Sequence, residues 1–88
     1  MRNVELNFVK NQLLTAKCET IDSMFSVSVQ DVSPSGAIIY TKKKLTLGQE
    51  IALTIQLPNS DEVLRATGES VRVSSGGFGV EFKIMFND

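Results

Sequence analysis

Asp31, Ser33 and Gly36, in the stretch DVSPSGAIIY, have types and a spacing that could hold a nucleobase. A carboxylate can accept two hydrogen bonds from an edge that presents only donors, such as N1–H and N2–H of guanine. A nearby serine hydroxyl can bind phosphate, and a glycine lets a flat base approach the backbone. The same residues also make an ordinary turn. Asp and Ser side chains cap backbone donors in turns, and Gly36 is expected to take a conformation that other residues resist. Spacing alone favours the turn.

The rest of the chain offers little reactive chemistry. Its 88 residues include no histidine and one cysteine, Cys18. Ser-His and Cys-His catalysis and an intramolecular disulfide are therefore excluded, and a structural zinc site nearly so. A lone thiol suits a reducing compartment. Cys18 falls in a strand and is expected to pack rather than react. Glu69 and Glu81 fall on strands, Asp61 and Glu62 border a turn, and no acid–base couple is evident. The expectation is a protein that is not an enzyme and has no cofactor. Lys42, Lys43 and Lys44 form the one basic run, expected to be a solvated strand end remote from Asp31. A net charge of −1 argues against nucleic acid or an anionic membrane as the main partner. No apolar run is long enough to span a bilayer, and there is no signal peptide.

The elements that would position Asp31 are strands. FSVSVQ alternates, with Phe25, Val27 and Val29 on one face and Ser26, Ser28 and Gln30 on the other. EIALTIQL places Ile51, Leu53, Ile55 and Leu57 inside, and GFGVEFKI does the same with Phe78, Val80, Phe82 and Ile84. A period of two marks half-buried antiparallel strands. NQLLTAKCE and GAIIYT supply two more. EVLRATGESVRV is a long strand in which Leu64 and Ala66 share a face before Val71 and Val73 carry the pattern on. The change of phase at Gly68 predicts a bulge or sharp bend. LPNSDE and SSGG read as hairpin loops, and TLGQ supplies a glycine before strand four. Short strands at regular intervals without a convincing helix predict a small antiparallel barrel or sandwich, the barrel favoured because it removes exposed edges. The chain reads as one domain over 1–88, with an N-terminal arm at 1–10 and a barrel over 11–86. Composition fits this reading: 42% hydrophobic and 22% charged is ordinary for a small globular domain.

The order DVSPSG, LGQEIALTIQLP, ATGESVRV, GFGVEF resembles the PilZ domain family over about residues 10 to 86. Its D-x-S-x-x-G motif is matched by Asp31, Ser33 and Gly36. A G-x-x-V-x-R-type strand falls at Gly68 to Arg72, and a G-x-G-V-x-F-type strand at Gly77 to Phe82. The resemblance implies an all-β, six-stranded antiparallel barrel and a bacterial cytoplasmic receptor for cyclic di-GMP. The family's usual C-terminal helix has no counterpart before Asp88, so the expected barrel lacks it. Motility, pilus or exopolysaccharide pathways would supply a protein partner.

The family's R-x-x-x-R arm is incomplete here. Counting back from Asp31, Leu6 and Lys10 stand where two arginines are expected, and the arm's one arginine is Arg2. Guanidinium suits phosphate and the guanine O6 and N7 acceptors bidentately, whereas lysine is a point charge. The resemblance thus implies a ligand site of Asp31, Ser33, Gly36, Lys10 and Arg2, weakened by its arm. Two alternatives stand beside it. One is a degenerate barrel of this type that binds no nucleotide and serves as a protein–protein adaptor. The other is an OB-fold binding single-stranded nucleic acid, disfavoured by the acidic balance and the few aromatics.

Overall fold

The computed structural model describes residues 13–58, 61–74 and 76–87, which form six strands. These are β1 (Leu14–Glu19), β2 (Met24–Ser33), β3 (Gly36–Tyr40), β4 (Glu50–Gln56), β5 (Val63–Ser74) and β6 (Gly77–Asn87). All neighbours are antiparallel, and the sheet closes in the order β1-β2-β3-β6-β5-β4. No helix occurs among the described residues. The all-β barrel read from the alternation is the observed fold.

Closure follows from what the strands carry. β1 and β4 alternate strictly, placing Leu14, Ala16 and Cys18 and Ile51, Leu53 and Ile55 in the interior. Val27, Val29, Val32, Ala37, Ile39, Leu64 and Val80 complete this core. Val29, Ile39 and Ile55 are fully buried, each worth about 1.5–3 kcal/mol relative to an exposed side chain. Phe25 and Phe82, expected inside, pack against the core but are only partly buried.

Three departures from the alternation shape the outer surface, and each is a bulge. On β2, Gln30 pairs with Ile38 and Ser33 with Gly36, so Asp31 and Val32 together face Ala37. The extra residue resets the phase: Val27 and Val29 point inward, and then Val32 does. On β6, Phe82 pairs with Gly68 and Ile84 with Thr67, leaving Lys83 extra. Ile84 was expected inside; it is 60% exposed, and Met85 takes the inward place instead. On β5, Ser70 pairs with Val80 and Arg72 with Gly79, leaving Val71 extra. Val71 and Val73, which carry the apolar pattern on beyond Gly68, are exposed. The change of phase expected at Gly68 falls instead at Val71: β5 alternates through Ser70, and the bulge beside Gly68 is on the partner strand, at Lys83.

The connection from β3 to β4 joins strands that are not neighbours, so it crosses one end of the barrel. Within it, Leu45 is buried. The Ser70 hydroxyl donates to the Thr46 carbonyl, Ser70 N–H donates to Gln49 O (3.1 Å), and Gly48 N–H donates to Ser70 O (2.6 Å). Gly48 sits at φ 81°, a left-handed conformation suited to glycine. Ser70 is the one buried polar side chain in the described core, and its hydroxyl is satisfied by this loop.

Candidate functional site

Asp31 lies within β2, at its bulge, and not in the following turn. Its φ is 57°, and no other described residue apart from glycine has a positive φ. The left-handed region is unfavourable for most side chains, but Asp and Asn tolerate it best. The extra residue and this conformation together kink β2 just before the hairpin.

The turn itself is Pro34–Ser35, joining Ser33 to its partner Gly36. Ser33 organises it. Its hydroxyl accepts from Ser35 N–H (3.3 Å), contacts the Ser35 hydroxyl (3.0 Å) and donates to Gly36 O (3.3 Å). The capping role expected from the residue type is therefore present. The Ser35 carbonyl accepts from Phe82 N–H (2.9 Å), which ties the turn to β6.

Gly36 differs from its expected role. Its backbone has no positive φ, so conformation does not require glycine there. Close approach does: a Cβ would collide with the Val80 carbonyl oxygen of β6. The space left by the missing side chain is filled by β6 and is not open to a base.

Asp31, Ser33, Ser35 and Gly36 line one groove of about 320 Å³ on the outside of the barrel. Its other side is built by Ile38, Val71, Arg72 and Val80. Cross-strand register explains the shape. Ile38 pairs with Gly79 and Gly79 with Arg72, so the residue between two large side chains has none of its own. A Cβ at Gly79 would lie 3.1 Å from Arg72 Nε and 3.3 Å from Nη2, so the guanidinium rests across the glycine. The groove thus brings one carboxylate, two hydroxyls and one guanidinium together, with Ile38 and Val71 beside them. Arg72 and Val71 were visible in the sequence only as the end of a strand pattern. What puts them at this groove is the bulge at Val71, which a period of two does not reveal.

Arg2, Leu6 and Lys10 lie outside the described residues. Lys42, Lys43 and Lys44 follow β3 at the end away from the Asp31 hairpin, and Lys43 Nζ sits 5.5 Å from the centre of the Phe25 ring. Cys18 is fully buried, and burial, with the Glu19 charge second, pushes its thiol up to about 11. It is core, not a nucleophile. Glu69 stands between Glu50 and Glu81 in the cross-strand register. Lys83 answers this row of acids: its Nζ is 2.7 Å from Glu69 Oε1, and that hydrogen bond leads in raising the lysine pKa.

A larger groove of about 530 Å³ lies elsewhere, lined by residues including Glu19, Ile21, Glu50, Thr67 and Lys83. It is mainly apolar, and its Lys83 is already held by Glu69. The smaller groove is the candidate site because a carboxylate, hydroxyls and a guanidinium with no ion pair to another described residue converge there. Among the described residues, no cluster of His, Cys, Asp or Glu could hold a metal ion, and no helix is long and apolar enough to cross a membrane.

The described residues thus form a closed six-stranded barrel with a polar groove beside one hairpin. The family model for the PilZ domain matches residues 10–87, nearly the whole chain, and the protein belongs to that family. No curated protein matches it.

Proposed function

We propose that this domain is a receptor for cyclic di-GMP and that the ligand enters the groove beside the Asp31 hairpin. Membership of the PilZ family, whose domains generally serve as cyclic di-GMP receptors, gives the ligand class. The single observation that carries the reading is the gathering of Asp31, Ser33 and Ser35 along one open groove. The Asp31 carboxylate accepts from guanine N1–H and N2–H, an edge that presents only donors. The Ser35 hydroxyl, exposed at the tip of the turn, donates to a phosphate oxygen, while Ser33 holds the turn that presents it. Ile38 and Val71 offer apolar surface to the base. The arm that carries Arg2 and Lys10 adds positive charge, but as one guanidinium and one ammonium rather than an arginine pair, so affinity is modest. The domain performs no chemistry on its ligand and acts by binding.

Isothermal titration with cyclic di-GMP tests this. The parent is expected to bind at physiological salt, and Asp31→Ala to weaken binding at least tenfold while melting within a few degrees of the parent. Equal binding by the two proteins, or none by the parent, would overturn the assignment.

A protein contact is the second reading, and one surface favours it. Ile21 is fully exposed beside the larger groove. Ile84 is 60% exposed and pairs with Thr67, which lines the same groove. Exposed apolar side chains close together are a common mark of a protein-binding face. This face spans β1, β4, β5 and β6 and shares no lining residue with the groove beside the Asp31 hairpin. Phe82 N–H, next to Lys83, is bonded to the hairpin's Ser35 carbonyl, so a partner there could respond to a ligand without competing for its groove.

A further inference from the structure

We infer that the larger groove, on the outer face of β1, β4, β5 and β6, docks a segment of a partner protein that carries both basic and apolar side chains. The inference rests on the protein-contact reading of this face and adds the chemistry of the partner.

The register fixes the shape of the face. Glu19 pairs with Ala52, Ala52 with Thr67 and Thr67 with Ile84, so these four residues form one outward row across four strands. Its centre, Ala52 and Thr67, carries only small side chains, which leaves a shallow floor. Its ends are apolar. Ile84 on β6 is exposed, and Met24, exposed too, pairs with Glu19 on the other side. Ile21, in the β1–β2 connection beside that end, is fully exposed and lines the groove. The bulge at Lys83 completes the arrangement. Because Lys83 is extra, it and Ile84 both face outward: the lysine reaches Glu69, and the isoleucine is left at the edge of the groove. Apolar side chains kept in water along one row lose solvent contact only when something covers them.

The rim decides what covers them. The next outward row is Glu50, Glu69 and Glu81, paired across β4, β5 and β6. With Glu19 it sets four carboxylates against one ammonium, Lys83, which Glu69 already holds. Glu19 and Glu50 line the groove and are exposed, and their carboxylates make no ion pair or hydrogen bond with another described residue. Lys17 and Arg65 lie one outward row away on the other side of Ala52 and Thr67, and they line no part of the groove. The groove therefore has one acidic side. That side repels nucleic acid and an anionic membrane, and it favours Lys or Arg on a protein.

A segment that alternates cationic and apolar side chains meets both features. Its apolar groups cover Ile21 and Ile84, and its cations reach Glu19 and Glu50. The row from Glu19 to Ile84 spans three inter-strand spacings, roughly 14 Å, which about five extended residues cover.

The test is an amide-shift titration of isotope-labelled protein with three five-residue peptides, alternating leucine with lysine, glutamine or glutamate. The lysine peptide should give saturable shifts centred on Ile21, Ala52, Thr67 and Lys83. The glutamine peptide should bind about fivefold more weakly, and the glutamate peptide more weakly still. High salt should weaken only the lysine peptide. The double variant Glu19→Gln, Glu50→Gln should lose about fivefold for the lysine peptide, and Ile21→Ser should lose as much. These changes fall on exposed side chains, so the variants should melt with the parent. If the three peptides bind this face equally, or the double variant matches the parent, the cationic partner is refuted and the protein-contact reading stands. If no peptide shifts this face, if Ile21→Ser binds the lysine peptide as tightly as the parent, or if the parent self-associates in sedimentation and Ile21→Ser does not, the partner reading of this face fails and the inference fails with it.

Discussion

β4 and β5 lie side by side along seven paired residues, yet they build opposite kinds of surface. β4 keeps its alternation throughout and sends Ile51, Leu53 and Ile55 into the core. β5 keeps it only as far as Ser70, gains Val71, and then turns Arg72 out into the candidate groove. β2 follows β5: regular through Val29, bulged at Asp31, and functional where it breaks. In this barrel the regular strands supply stability, and the bulges aim the side chains that could recognise a ligand.

Breaking the regular strand should have the largest effect. Ile55→Ala removes a fully buried side chain from β4 and should cost about 2–5 kcal/mol in urea unfolding. A cost below 1 kcal/mol would mean that the core is looser than its burial implies. Next is Ser70, where regular strand meets bulge. Ser70→Ala removes the hydroxyl that donates to Thr46 O and should cost about 1 kcal/mol. It should also speed amide exchange at Gly48, whose N–H donates to the Ser70 carbonyl. Unchanged exchange there would mean that the β3–β4 connection does not depend on Ser70.

Asp31→Gly sharpens the contrast between stability and recognition. Glycine suits a φ of 57° better than any L residue, so stability should move by no more than about 1 kcal/mol. Binding of cyclic di-GMP should fall at least tenfold nonetheless. A variant that loses several kcal/mol would show that the carboxylate holds the fold together.

The smallest effect belongs to Cys18. Its folded-state pKa is raised to about 11, so the neutral thiol is favoured by folding. That contribution is complete below about pH 9 and is lost as pH rises through 11. Cys18→Ser should therefore flatten the decline in stability over that window. Thiol reagents should label native Cys18 only at the rate at which the barrel opens, and fast labelling of folded protein would contradict its burial.

The barrel was legible because a period of two is a property of sequence alone. Ile51, Leu53 and Ile55 could be assigned to the interior without any neighbour in view. Ile84 was misread because a bulge adds a residue, and alternation counted from one side of it fails on the other. Gly68 was read as the break, yet β5 keeps its phase through Ser70; the breaks fall at Val71 and, on the partner strand, at Lys83, neither of which carries a mark in the sequence. The Asp31, Ser33 and Gly36 motif was visible, but the use of Gly36 was not, since the carbonyl of Val80 that crowds it is more than forty positions away in the chain. Arg72 was hidden for the same reason, because its place in the groove depends on Gly79 and on the register between β5 and β6.

The most direct test of the ligand groove is a titration of cyclic di-GMP into isotope-labelled protein, followed by amide chemical shifts. The account predicts the largest changes at Asp31, Ser33, Ser35 and Gly36 on one side and at Val71 and Arg72 on the other, with β1 and β4 nearly silent. Changes centred instead on Ile21, Thr67 and Lys83, or none at saturating nucleotide, would contradict it.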